Sequence, residues 1–239
     1  MEIYLKLGDC LNVMKEMPAK SVDMILCDMP YGTTNCKWDS VIDLQKMWWE
    51  YERLLKDNGI VVLTAQTPFD KVLGCSNLKM LKYEWIWEKT AATGHLNAKK
   101  MPMKSHENIL IFYNKLPTYN PQKTTRHTPV NSFSKKDNSD GNIYGKTKTS
   151  KGGGNTDRYP RSVQVFKSDK QKVKLHETQK PLALMEYLIK TYTNEGDTVL
   201  DNAMGSGTTM LACKNLNRKG VGIEIDENIF YTAQKRLGL

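Results

Sequence analysis

Cysteine is sparse in this chain of 239 residues: five residues (Cys10, Cys27, Cys36, Cys75, Cys213) and no Cys-x-x-Cys pair. That argues against a zinc cluster or a disulfide framework and points to a reducing cytoplasm. No apolar run approaches the roughly 18 to 20 residues that a bilayer-crossing helix needs, so no membrane association is expected. The first seven residues carry Glu2 and Lys6 within their short apolar stretch and do not read as a signal peptide. No internal repeat is present. What is present is an ordinary globular balance, 39% apolar and 26% charged, enough to bury a core in one generous domain or two small ones.

Acidic residues are in deficit, 26 against 35 Lys and Arg, for a formal charge of +9. The excess is local. Between Lys115 and Leu175 there are 14 basic and 4 acidic residues, a net of +10, so the rest of the chain is close to neutral. The same stretch is rich in Asn, Ser, Thr and Gly, and Tyr119, Phe133, Tyr144, Tyr159 and Phe166 punctuate its cations. A polar surface insertion would have this composition. So would a nucleic-acid surface, where cations meet phosphates and rings stack on bases.

On either side the pattern alternates between strand and helix. Ile3–Leu7 and Val22–Cys27 are predicted strands, with Asp9 as a helix N-cap between them. Apolar residues recur at helical spacing over Val41–Lys56, with Gly59 as the expected C-cap, and Ile60–Ala65 follows as a strand. Two more strands are predicted at Tyr83–Trp87 and Ile109–Tyr113. After the basic stretch come a helix over Leu182–Thr193, a strand over Asp197–Asp201 and a helix over Ser206–Asn215. A strand at Gly220–Ile225 and a helix at Asn228–Leu237 complete the series. Such βα repeats imply an α/β, Rossmann-like, mostly parallel sheet with helices on both faces.

In such a sheet, ligands bind beyond the carboxyl ends of the strands. Two strands here end in Asp followed by an unusual loop: Asp28-Met29-Pro30-Tyr31 and Asp201-Asn202-Ala203-Met204-Gly205-Ser206-Gly207-Thr208-Thr209. The second is no phosphate loop, because Thr208 stands where that motif needs Lys. A structural turn would also use Gly205 and Gly207. Glu224, about 20 residues further on, is placed to accept hydrogen bonds from both ribose hydroxyls of a nucleoside. The first loop offers an acceptor beside an aromatic ring, which suits an amino group on a planar heterocycle. A turn with a capping Asp and a packed Tyr is the plainer alternative.

Taken together, these residues resemble a site-specific DNA amino-methyltransferase of the permuted class, in which the catalytic tetrapeptide precedes the cofactor loop, and the likeness spans nearly the whole chain. Asp28-Met29-Pro30-Tyr31 matches the family's Asp-Pro-Pro-Tyr, and Asp201–Thr209 matches its glycine-rich loop. His176-Glu177-Thr178-Gln179-Lys180-Pro181 matches its His-Pro-Thr-Gln-Lys-Pro, and Gly8-Asp9-Cys10 its adenine-facing motif. Trp85-x-Trp87-x-Lys89 and His106-Glu107 also look like family landmarks. The departures are Met29 for Pro, Asn202-Ala203 for Pro-Phe and Glu177 for Pro; none removes a polar group that the chemistry needs.

The resemblance implies three segments: 1–114, the catalytic half; 115–175, a target-recognition insertion; and 176–239, the cofactor half. It implies S-adenosylmethionine as cofactor and no metal, held by Asp9, Cys10, Asp28, His176, Thr178, Lys180, Asp201, Asn202, Ala203, Gly205, Ser206, Gly207, Thr208 and Glu224. Asp28, Met29, Pro30 and Tyr31 would form the catalytic site, with DNA as partner. Lys123, Arg126, Lys135, Lys136, Lys146, Lys148, Lys151, Arg158 and Arg161 would hold the DNA. A prokaryotic or phage cytoplasm is the expected setting, and members of this class often form homodimers. Asp at the head of the tetrapeptide is typical of adenine enzymes, while cytosine-N4 enzymes usually begin with Ser. Cytosine-C5 chemistry resembles attack by a Cys placed after Pro, and no cysteine here follows a proline. A non-catalytic DNA-binding relative is the alternative that Met29 leaves open.

Overall fold

The computed structural model describes residues 2–31, 42–135, 149–167 and 179–239. Contacts among them divide the chain into two units, one of residues 1–120 with 162–239 and one of residues 121–161.

The larger unit is built on eight strands: β1 (Ile3–Leu7), β2 (Val22–Cys27), β3 (Leu55–Ala65), β4 (Leu81–Thr93), β5 (Lys104–Phe112), β8 (Val163–Phe166), β9 (Thr198–Asp201) and β10 (Lys219–Glu224). Their spatial order is β1-β10-β9-β2-β3-β5-β4-β8. All neighbours run parallel except β3 with β5 and β5 with β4. The carboxyl ends of the parallel strands therefore share one edge with the amino end of β5. Lys89, on β4, and Glu107, on β5, reach the same edge as Asp28 by this reversal, since Trp87 lies opposite Glu107.

β2 shows why its sequence is apolar from Met24 to Cys27. Ile25 and Cys27 pack on one face with α1 (Cys10–Glu16), α2 (Leu44–Leu54) and α3 (Phe69–Ser76). Met24 and Leu26 pack on the other with α4 (Leu182–Tyr192), α5 (Thr208–Asn215) and α6 (Glu227–Leu237). A central parallel strand buried on both faces has no place for alternating polar residues. Asp9 caps α1 by accepting from the Asn12 amide at 3.0 Å, and Asp43 caps α2 through the Gln45 and Lys46 amides.

Gly59 is not the C-cap expected of it. The α2 helix stops at Leu54, Leu55 already pairs with Val22, and Ile60 pairs with Met24, so residues 56–59 bulge out of β3. A Cβ on Gly59 would lie 2.8 Å from the Leu55 side chain. The glycine serves the bulge.

Residues 121–161 form the smaller unit. β6 (Phe133–Lys135) pairs antiparallel with β7 (Ser150–Gly152), and an isolated bridge joins Thr124 to Arg158. Gly152 leaves room for the Phe133 ring, which a Cβ would meet at 2.8 Å. The outer parts of the basic stretch, Lys115–Asn120 and Val163–Phe166, belong to the larger unit. No helix among the described residues is long and apolar enough to cross a membrane.

Candidate active site

Four chain turns meet at the carboxyl edge of the sheet. After β1, the Gly8 amide donates to the Glu224 carbonyl at 2.9 Å, which sets Gly8-Asp9-Cys10 beside the end of β10. After β9, Gly205 and Gly207 both take left-handed backbone, φ +52° and +77°, as the tight turn into α5 requires. Glu224 ties that loop down: its Oε2 accepts from the Gly205 amide and its Oε1 from the Asp226 amide, each at 2.9 Å. A carboxylate has about four lone-pair sites, so two of those on Glu224 are left over.

Asp201 is fully enclosed. Burial pushes its carboxyl up to about 7, against the opposing pull of the Thr209 hydroxyl, the Ala203 amide and the Cys27 thiol. Its partners among the described residues are thus neutral, and a cationic ligand group would complete it. Asn202 is buried as well; its Oδ1 accepts from the Tyr51 hydroxyl at 2.5 Å, while its Nδ2 has no partner. Two acceptor sites on Glu224, a buried carboxylate without a cation and an unused amide donor suit a nucleoside bearing an amino acid. The side chains of Ser206 and Thr208 turn elsewhere, both receiving Arg236.

Asp28 follows β2, and Met29 is buried in the core beneath it, so this replacement of Pro keeps the turn anchored by apolar packing. Asp28 Oδ1 accepts from the Tyr31 hydroxyl at 2.7 Å and from the Thr64 hydroxyl. The Tyr31 ring packs on Phe69, centroids 5.4 Å apart and tilted by 30°. Burial and the neighbouring Asp28 charge hold the Tyr31 hydroxyl well above its usual range, so it stays protonated and donates.

Lys180 is expected from the resemblance among the cofactor ligands, yet its Nζ sits 2.8 Å from Asp28 Oδ2 and 3.0 Å from Glu107 Oε2. Lys89 completes the row, 2.6 Å from Glu107 Oε1. Glu107 was legible as a landmark, but not this partnership; Thr209 was read only as the end of the glycine loop, and Thr64, Phe69 and Tyr51 were not singled out as site residues. The available signal for Thr64 was a polar residue ending an otherwise apolar strand. His176 and Thr178 lie outside the described residues.

In the smaller unit, Arg158 is turned inward on the chain. Its guanidinium donates to the carbonyls of Asn155, Asp157 and Thr128. Lys123 pairs with Asp157 at 2.7 Å and lies over the Tyr159 ring at 4.4 Å. Arg126 and Lys151 are exposed, and Arg126 makes no side-chain hydrogen bond among the described residues. Arg161 has a partner. Lys136, Lys146 and Lys148 lie outside the described residues, as does the side chain of Lys135.

Comparison with known proteins gives the family. A family model described as DNA methylase, for N6 and N4 methyltransferases, matches residues 22–235. The type II methyltransferase M.HpaI of Haemophilus parainfluenzae is 30% identical over 251 residues, covering 99% of this chain and 74% of its own. The DNA adenine methyltransferase YhdJ of Escherichia coli (strain K12) is 29% identical, covering 96% and 81%. The M1.HpyAVI–SAM complex superposes with a TM-score of 0.70 at 28% identity, covering 99% of this chain and all of the other. PvuII DNA methyltransferase, which is cytosine-N4-specific, shares the fold with a TM-score of 0.69 at 14% identity, covering 99% and 86%. With nine-tenths of its length matched by the family and its tetrapeptide and glycine loop on one sheet edge, the chain belongs to the N6/N4 DNA methylases.

Proposed function

We propose that this protein methylates the exocyclic amino group of adenine within a specific DNA sequence, using S-adenosylmethionine. The observation that carries the reading is the Asp28 carboxylate at the end of β2, with the Tyr31 ring beside it and the Asp201 and Glu224 loops on the same edge. Glu224 would take the ribose hydroxyls, Asp201 the amino acid ammonium, and Asp9 and Cys10 would border the adenine. When bound, the cofactor supplies a methyl group on a positively charged sulfur.

The target atom lies inside the duplex, so the base must be turned out of the stack, and Tyr31 gives it a ring to lie on. Asp28 and the Pro30 carbonyl accept the two amino protons. That weakens conjugation of the nitrogen lone pair with the ring and aims it at the methyl group. Catalysis by these residues is orientation and electrostatics, with no covalent enzyme intermediate. The basic stretch at 115–175 supplies the DNA contacts. Arg126 and Lys151 offer exposed cations for phosphate or base, whereas Arg158 acts on the backbone of its own unit.

The test is incubation with labelled cofactor and DNA, followed by analysis of the nucleosides. Label in N6-methyladenine is expected; label in N4-methylcytosine, or none with cofactor bound, overturns the reading. Asp28→Ala is expected to keep cofactor affinity and to lower transfer by about 10²-fold or more, the scale of losing one aligned group at the reacting atom. A normal rate in that variant would place the site elsewhere.

A further inference from the structure

Four charged side chains alternate in sign along the sheet edge: Lys89, Glu107, Lys180 and Asp28, with successive contacts of 2.6, 3.0 and 2.8 Å. The first three are nearly sealed, with side chains 9%, 5% and 7% exposed, and Asp28, at 24%, is where the row opens. Buried ion pairs are poor evidence of stabilisation, since desolvation offsets the attraction. Their geometry at this place has a clearer meaning.

The acceptor capacity of Asp28 can be counted. A carboxylate offers about four lone-pair sites, two on each oxygen. Both sites on Oδ1 are taken, by the Tyr31 and Thr64 hydroxyls. One on Oδ2 is taken by Lys180. One remains, on Oδ2, and one amino proton is what Asp28 has to accept.

We propose that Lys180 is a positioning residue for the transfer: its ammonium, anchored by Glu107 and Lys89, fixes the Asp28 carboxylate by occupying one lone-pair site of Oδ2 and leaves a single acceptor site there for the target amine. Glu107, on β5, holds the far side of the Lys180 ammonium. Cys27 on β2 and Tyr31 stay neutral, held above their usual range by burial first and by neighbouring carboxylates second. Thr64, on β3, is uncharged. Lys180 is thus the cation in contact with Asp28 among the described residues. Burial alone would depress its ammonium, but the Asp28 and Glu107 carboxylates outweigh that and hold it well above the ordinary lysine range.

The inference rests on Asp28 as the acceptor of the amine. The test measures single-turnover methylation of DNA by the full chain, with cofactor affinity measured separately by calorimetry. K180M is expected to keep cofactor affinity within about threefold while the single-turnover rate falls by about 10- to 100-fold, the scale of a misplaced reacting group. K180R, which keeps the charged donor to Oδ2, should restore most of the rate. K180Q, which keeps a donor to Oδ2, should retain more of the rate than K180M, and K180R against K180Q decides the matter if K180M does not fold. A single-turnover rate unchanged in K180M and K180Q overturns the proposal, as does a loss of cofactor affinity as large as the loss of rate, which would make Lys180 a cofactor ligand. Absence of amine methylation by the wild type would instead remove the functional reading beneath it.

Discussion

Replacing Asp201 with Asn should make the cofactor-free protein more stable at neutral pH while weakening its hold on the cofactor. Asp201 is 3% exposed and its carboxyl titrates near 7, against 3.8 for a free aspartate. The folded state therefore holds this proton over a pH range where the unfolded chain has released it. Stability from this group is complete below about pH 4 and is lost as pH rises to about 7. At about 1.4 kcal/mol per unit, the roughly three-unit gap amounts to about 4 kcal/mol. Asparagine has the shape of the protonated acid and cannot ionise; its carbonyl can still accept the Ala203 amide, now 3.2 Å from Oδ1. Urea denaturation without cofactor should show the two proteins nearly equal close to pH 4 and D201N ahead by up to about 4 kcal/mol above pH 7. Taking the difference between them cancels the carboxylates that titrate in the opposite sense, such as Glu107. Cofactor affinity should run the other way, rising in the wild type as Asp201 ionises through pH 7 to meet the ammonium, and remaining low and flat in D201N. A stability difference independent of pH, or a D201N protein less stable than wild type at pH 8, would refute the reasoning.

Glu224→Gln keeps one acceptor oxygen for two backbone amides, so one of Gly205 and Asp226 loses its partner; stability should fall by about 1 to 3 kcal/mol. If the spare lone pairs hold the ribose, calorimetry should show cofactor affinity down by about 10- to 100-fold, and unchanged affinity would confine Glu224 to the loop. In the smaller unit, Arg126→Ala should weaken DNA binding and flatten its salt dependence by about one unit of slope. Arg158→Ala should instead speed amide exchange around residues 124–130 and 154–158, because three carbonyls lose their donor; unaltered exchange would contradict the inward role of Arg158.

The centre of the sheet was legible because Met24–Cys27, Ile60–Ala65 and Val199–Leu200 are buried and nearly all apolar, with Asp28 and Asp201 marking two of the strand ends. α3 was not, since Phe69–Ser76 spans only two turns, carries a buried Asp70 and starts after a proline without a side-chain cap. β8 was hidden by composition: Val163-Gln164-Val165-Phe166 alternates as a strand should, but it sits among basic and polar neighbours that suggest a surface loop. The site divided the same way. Motif residues at loop starts could be read locally, whereas the contact between Lys180 and Asp28 joins positions 152 apart in sequence, and no spacing rule predicts it. Arg158 shows the limit of composition: a cation in a basic stretch looks like a phosphate ligand until its three backbone partners are seen.

The pairing of β1 with β10 and of β2 with β9 also bears on how the chain is made. On the ribosome the tetrapeptide Asp28–Tyr31 emerges long before the strands that flank β2 on its β9 side, and the Tyr51 hydroxyl waits about 150 residues for Asn202. Until residues 198–224 have been synthesised, the amino-terminal strands lack those neighbours and the chain has no pocket for a nucleoside. Contacts this distant in sequence form slowly. A nascent chain therefore has its tetrapeptide and its basic segment in place before its cofactor loop, and chemical competence comes last.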